Sequence, residues 1–140
     1  MSEDKFSFHH VHITSADPLA AAKWYEEMLG AEVLGEKELR NAPQINLMLG
    51  CVRILIRGKR PGENPSDPVP MQHFDGFSSH NEYGTDHFAF NYHGDLRAFC
   101  EDFRGKGVTF PVEPWEFLPD HWICYVAAPD GVSVEIMQAH

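Results

Sequence analysis

Nine histidines stand among 140 residues, and several lie inside hydrophobic, strand-like segments where a polar side chain is costly to bury without a partner. Side chains alternate along a strand. In FSFHHVHIT (6–14), Phe8, His10, His12 and Thr14 therefore share one face, while Val11 and Ile13 share the other with His9. In TDHFAFNY (85–92), His87, Ala89 and Asn91 oppose Phe88, Phe90 and Tyr92; in VSVEIMQ (132–138), Ser133, Glu135 and Met137 oppose Val132, Val134 and Ile136. Each segment turns a metal-ligating residue type away from its apolar stripe. A single strand His or Glu ordinarily makes a hydrogen bond or meets solvent. Two imidazoles and a carboxylate on three separate strands point instead to a common concave face able to hold a cation.

The elements that must position these groups follow from periodicity and punctuation. The first strand stops at Ser15-Ala16-Asp17-Pro18, where Asp17 can cap a helix and Pro18 can occupy its first turn. Leu19, Ala22, Tyr25, Met28 and Leu29 then recur at helical spacing until Gly30 supplies the stop. Strands are expected over about 31–37, 44–49 and 51–57, completing a βαβββ module. After Gly84 the order restarts: a strand over 85–92, a helix entered through Gly94-Asp95 with Leu96, Phe99, Cys100 and Phe103 on one stripe, and strands near 107–113, 121–127 and 132–138, the last pair joined by Pro129-Asp130-Gly131. The expected fold is α+β, two βαβββ modules (about 6–57 and 84–138) forming a cupped mixed β-sheet within a single domain, 1–140. Between them, residues 58–83 hold four prolines and three glycines. So long a connection in a compact domain is usually functional, and this one is a candidate cover for the site.

Composition narrows the partners. With 11 Lys+Arg against 21 Asp+Glu, a net charge of −10, the chain lacks the positive footprint that nucleic acid or an anionic membrane requires. A small-molecule substrate is the expected partner. Three cysteines in separate segments, Cys51, Cys100 and Cys124, make neither a disulfide framework nor a thiolate zinc site, and Cys100 and Cys124 fall on apolar stripes as structural residues. Neither a signal-peptide-like start nor an 18-residue apolar run occurs, so a cytoplasmic location is expected.

The segments FHHVHIT…DP…WYEEMLGAEV, GTDHFAF and APDGVSVEIMQ resemble the metal-binding strands of the vicinal oxygen chelate superfamily, which includes glyoxalase I, fosfomycin-resistance proteins, extradiol dioxygenases and methylmalonyl-CoA epimerase. The likeness spans nearly the whole chain. It implies a His from the first strand of each module and a Glu from the last strand of the second, here His10, His87 and Glu135. Glyoxalase I adds a Glu from the last strand of its first module, where this sequence reads CVRILIR and Leu55 stands. That departure counts against glyoxalase I activity proper. Two imidazoles and one carboxylate with open positions suit Fe(II) or Mn(II), ahead of Zn, Ni or Co.

Around this set, Tyr125 lies ten residues before Glu135, as in the extradiol enzymes, and shares a face with His121; these two and His12 are the candidate catalytic groups, with His73 and His80 as further acid/base candidates. If Leu55 faces the cavity, so do Arg53 and Arg57, joined by Asn46 and Met48. Arg53, Asn46 and Met48 are thus candidate substrate contacts, suited to a carboxylate or phosphonate. The expected function is a metal-dependent enzyme chelating a small oxygen-bearing substrate, with dioxygenase or glyoxalase-like lyase/isomerase chemistry. The alternative is a metal-free drug-binding protein of the bleomycin-resistance type. Open sheet edges and the resemblance imply a homodimer.

Overall fold

In the computed structural model, which describes residues 4–69 and 83–139, the chain forms two compact units, Met1–Ser66 and Asp67–His140. The first contains β1 (Val11–Thr14), α1 (Pro18–Leu29), β2 (Glu32–Leu39), β3 (Ala42–Leu49) and β4 (Val52–Arg57); the second contains β5 (Phe88–Tyr92), α2 (Leu96–Gly105), β6 (Val112–Leu118), β7 (His121–Ala127) and β8 (Ser133–Gln138). Each unit has one four-stranded sheet, ordered β1-β4-β3-β2 and β5-β8-β7-β6. In both, the first strand runs parallel to the last and the other pairs are antiparallel, giving the mixed βαβββ module twice.

Local chemistry sets the helix ends. Asp17 accepts a hydrogen bond from the Ala20 N–H at 3.1 Å, Pro18 opens α1, and Gly30 closes it at φ 75°, a left-handed conformation that glycine adopts without steric cost. Asp95 caps α2 by accepting from the Arg97 and Ala98 amides. The buried face of α1 is centred on Ala21, Ala22 and Tyr25, while Leu19, counted on its apolar stripe, is exposed. At 3.6 residues per turn Leu19 falls roughly 110° around the helix from the centre of that face.

The alternating strand residues Ile45 and Leu47 of β3 and Ile54 and Ile56 of β4 are fully buried, as are Val126 of β7, Val134 of β8, and Leu96 and Phe103 of α2. Cys100 and Cys124 are buried with their sulfurs 3.6 Å apart. The Cys100 hydrogen bond and burial hold the Cys124 thiol up and protonated, as an inert packing residue, while the same contact lowers the Cys100 thiol.

Three strands differ from expectation, one of them β5, which begins at Phe88 and leaves Thr85, Asp86 and His87 before it. Residues 6–10 lie outside the ladder, so β1 is only four residues long; β4, its parallel partner, ends the pairing at Val11↔Ile54. The strand expected near 107–113 instead runs from Val112 to Leu118, because pairing with β7 takes Val112, Trp115, Glu116 and Leu118 and leaves Val108–Pro111 outside it. Pro111 has no N–H to donate to a ladder. Residues 58–69 contain no helix or strand, and the rest of the expected cover, with His73 and His80, lies outside the described residues. Among the described residues no helix is long and apolar enough to cross a membrane.

Candidate functional site

The registers of the two sheets correspond position for position. In the first unit Leu55 pairs with His12 on one side and Asn46 on the other. In the second, Glu135 pairs with Ala89 and with Tyr125. Glu135 therefore holds the place that Leu55 holds in the other module, Tyr125 that of Asn46, and Ala89 that of His12. Two residues upstream, His87 precedes β5 as His10 precedes β1. The register thus gives His10, and not His12, the place equivalent to His87.

In the second unit three of the sequence-derived candidates meet. His87 Nε2 lies 3.3 Å from Glu135 Oε1 and 3.4 Å from the Tyr125 hydroxyl, with the His87 and Tyr125 rings 4.8 Å apart. Glu135 and Tyr125 reach this point because Val134, Ile136, Cys124 and Val126 point into the core on the opposite faces of β8 and β7. Tyr125 packs with Val112 and Ile123, flanked by Trp115, Phe117 and Met137. Burial first, then the charges of Glu135 and Asp86 and a hydrogen bond to Glu135, push the phenol up to about 12. Tyr125 therefore stays a hydrogen-bond donor at neutral pH. His121 shares its strand face but lies four residues away, about 13 Å along β7 at the strand rise, where its ring meets Phe117 at 5.9 Å.

One contact here escapes the sequence reading. Asp86 Oδ2 lies 2.6 Å from His87 Nδ1. A carboxylate only accepts, so Nδ1 carries a proton; Nε2 then either donates to the Glu135 carboxylate or, in the neutral tautomer, turns its lone pair toward it across 3.3 Å, and in that tautomer a cation between the two acceptors would satisfy both. The spacing suits one ion, since two ligands each about 2.1 Å from a metal stand roughly 3.0–3.4 Å apart at octahedral or tetrahedral angles. The donor set and its geometry fit a divalent cation. Asp86 sits on the far nitrogen and cannot reach the same ion; among the described residues no three His, Cys, Asp or Glu side chains gather as a complete site.

In the first unit the three strand histidines remain exposed. His9 and His10 bring their Nδ1 atoms to 2.7 Å, and the His10 and His12 rings are 6.4 Å apart. Partial desolvation of this exposed side chain, then the charges of Arg57, His10 and Arg60, push the His12 imidazole below its ordinary value, favouring its neutral form. Asn46 lines a hollow of about 180 Å³ with Gly35, Glu36, Lys37 and Gln44, and its buried Oδ1 has no hydrogen-bond partner among the described residues. Met48 and Arg53 are cross-strand partners on the half-buried face that also carries Asn46 and Leu55.

Arg57, in phase with them at the end of β4, is 9% exposed. It donates to Glu63 at 2.7 Å and to the Gly58 carbonyl at 3.0 Å. Glu63 also accepts from the Arg60 amide at 2.8 Å, and these contacts hold its carboxyl below the usual carboxylate range.

This repeated module, with imidazole and carboxylate on its second sheet, defines a class. The sequence profile of the Glyoxalase/Bleomycin resistance protein/Dioxygenase superfamily matches residues 7–136, and the chain belongs to that superfamily. Among solved structures it is similar to a glyoxylase/bleomycin resistance protein/dioxygenase domain from Frankia sp. EAN1pec, with 24% identity, a TM-score of 0.72 and coverage of 98% of this chain and 100% of that one. It is also similar to a point mutant of the fosfomycin resistance protein FosX from Listeria monocytogenes, complexed with Mn(II) and 1S,2S-dihydroxypropylphosphonic acid (12% identity, TM-score 0.67, 96% and 93% coverage). A point mutant of glyoxalase I from Zea mays shares 18% identity at a TM-score of 0.68, over 93% of this chain and 43% of that one. No curated protein matches the sequence.

Proposed function

We propose that the protein is a metalloenzyme whose divalent ion is held by His10, His87 and Glu135. The observation that carries this reading is the 3.3 Å approach of His87 Nε2 to Glu135 Oε1, two ligand-type atoms, one on β8 and one on the residue that leads into β5. A bound ion would supply Lewis-acid polarisation to two oxygens of a small substrate. Fe(II) and Mn(II) suit the donor set best, ahead of Zn, Ni or Co; the Mn(II) in the similar FosX structure supports the assignment.

The chain's own side chains supply the rest. Tyr125 holds a proton on its hydroxyl beside Glu135 and donates it to charge developing on a substrate oxygen. His12, its neutral form favoured, is a proton acceptor on the face of the first sheet that carries Asn46. Asn46, Met48 and Arg53 orient the substrate, with Arg53 matching a carboxylate or phosphonate. His121, at the other end of β7, takes its part with the distal end of the substrate. The reaction is of the dioxygenase or lyase/isomerase type. Purification under anaerobic conditions followed by elemental analysis tests the reading: near-stoichiometric Fe or Mn supports it, and a metal-free protein that will not take up either ion refutes it.

A second reading, a metal-free drug-binding module, draws on the aromatic patch of Trp115, Phe117 and Tyr125. Micromolar capture of planar aromatic drugs by metal-free protein would favour it. We also propose a cytoplasmic homodimer, supported by the edge strand β2, whose eight residues are all exposed, including Val33, Leu34 and Leu39. A monomer at micromolar concentration by light scattering would count against it.

A further inference from the structure

We propose that Asp86 is a positioning residue: it occupies Nδ1 of the histidine that follows it and so, in the neutral ring, leaves Nε2 of His87 unprotonated for a ligand. The inference rests on the metal-centre reading for its purpose but not for its geometry. Asp86 Oδ2 is 2.6 Å from His87 Nδ1, and His9 Nδ1 is 2.7 Å from His10 Nδ1. The equivalent register of the two sheets puts His9 where Asp86 stands, one residue before the equivalent histidines. The same atom of the same ring is thus engaged from the same preceding position in both modules, by a carboxylate in one and an imidazole in the other.

A neutral imidazole has one N–H, so fixing the proton on Nδ1 empties Nε2. In the second unit the consequence is visible. If the proton sat on Nε2, the ring would donate to Glu135 across 3.3 Å and close the approach to a cation. Asp86 opposes that tautomer, because it would set the Nδ1 lone pair against a carboxylate 2.6 Å away. In the first unit the His9–His10 contact joins two Nδ1 atoms, either of which can donate, so only the carboxylate of the second unit sets a tautomer. Such outer partners of a ligating histidine typically contribute about 10–100-fold in metal affinity.

The test uses the metal-free full-length protein labelled with ¹⁵N-histidine, at an alkaline pH where the nitrogen shifts themselves report neutral rings. Long-range ¹H–¹⁵N correlation spectra of the wild type should show His87 protonated on Nδ1. Asp86→Ala should move that proton to Nε2, and Asp86→Asn, which keeps a neutral acceptor, should restore Nδ1. Mn(II) affinity, read from the free-ion paramagnetic resonance signal, should fall about 10–100-fold in Asp86→Ala and recover in part in Asp86→Asn. A wild-type His87 protonated on Nε2, or an unchanged tautomer in a folded Asp86→Ala protein, would overturn the proposal. If the tautomer moves as described but the wild type binds no Mn(II), the positioning role stands and the metal-centre reading falls.

Discussion

Glu135 and Leu55 occupy the same place in two equivalent sheets: each is flanked by a residue of its module's first strand and one of its third, Ala89 and Tyr125 for Glu135, His12 and Asn46 for Leu55. The two modules share a backbone plan, but only the second puts a carboxylate at that register. Under the proposed function this asymmetry leaves Glu135 as the one carboxylate ligand, where a four-ligand arrangement would need a second at Leu55. Replacing Glu135 with Ala should abolish stoichiometric metal and leave the fold intact, since the neighbouring core residues Val134 and Ile136 face the other way. Metal analysis alongside circular dichroism checks both halves of that statement.

The register also separates His10 from His12. His10→Ala should lose the ion, whereas His12→Ala should retain it and lose activity through its contact with substrate. Metal content surviving His10→Ala and vanishing with His12→Ala would show that the first strand presents its ligand one pleat further along.

The two faces of β4 should respond differently to truncation. Ile54 is fully buried and Leu55 only partly so. Ile54→Ala should cost about 2–5 kcal/mol by removing core packing, and Leu55→Ala less than about 1.5 kcal/mol. Urea denaturation of the two variants gives the comparison, and similar losses would contradict the assigned alternation.

The Arg57–Glu63 pair should make stability pH-dependent. The folded-state pKa of Glu63 is depressed, chiefly by the Arg57 hydrogen bond, so its contribution is present above the unfolded-state value and is lost as pH falls through the folded one. Glu63→Gln should therefore lower the Tm at pH 7, and the two proteins should converge once the pH has fallen below the folded-state value of Glu63, where both side chains are neutral. A difference that persists unchanged in acid would show that the carboxylate charge is not the stabilising feature.

Much of this was legible in the sequence where the determinant is local. Asp17, Pro18 and Gly30 mark the ends of α1 because capping is chemistry between near neighbours. The alternation around His87 and Glu135 is legible because strand period two needs no partner to read. Properties decided by the partner were not. Residues 107–111 look β-forming, but the β7 ladder begins pairing at Val112, and Phe6 to His10 continue the strand pattern but pair with no strand among the described residues. Arg57 and Glu63 meet across a turn of irregular, Pro-containing chain that no periodicity predicts. Asp86 and His9 left only the faint signal of a hydrogen-bonding residue directly before a candidate ligand, and their contact depends on side-chain rotamers.

The most direct test of the central claim is a Mn(II) titration of the metal-stripped wild type and of His10→Ala, His87→Ala and Glu135→Ala, followed by the free-ion paramagnetic resonance signal. We expect about one ion bound per chain in the wild type and loss of stoichiometric binding in all three folded variants, as removal of one ligand leaves an incomplete coordination shell. Wild-type protein that binds no ion, or stoichiometric binding that survives all three substitutions, would contradict the account.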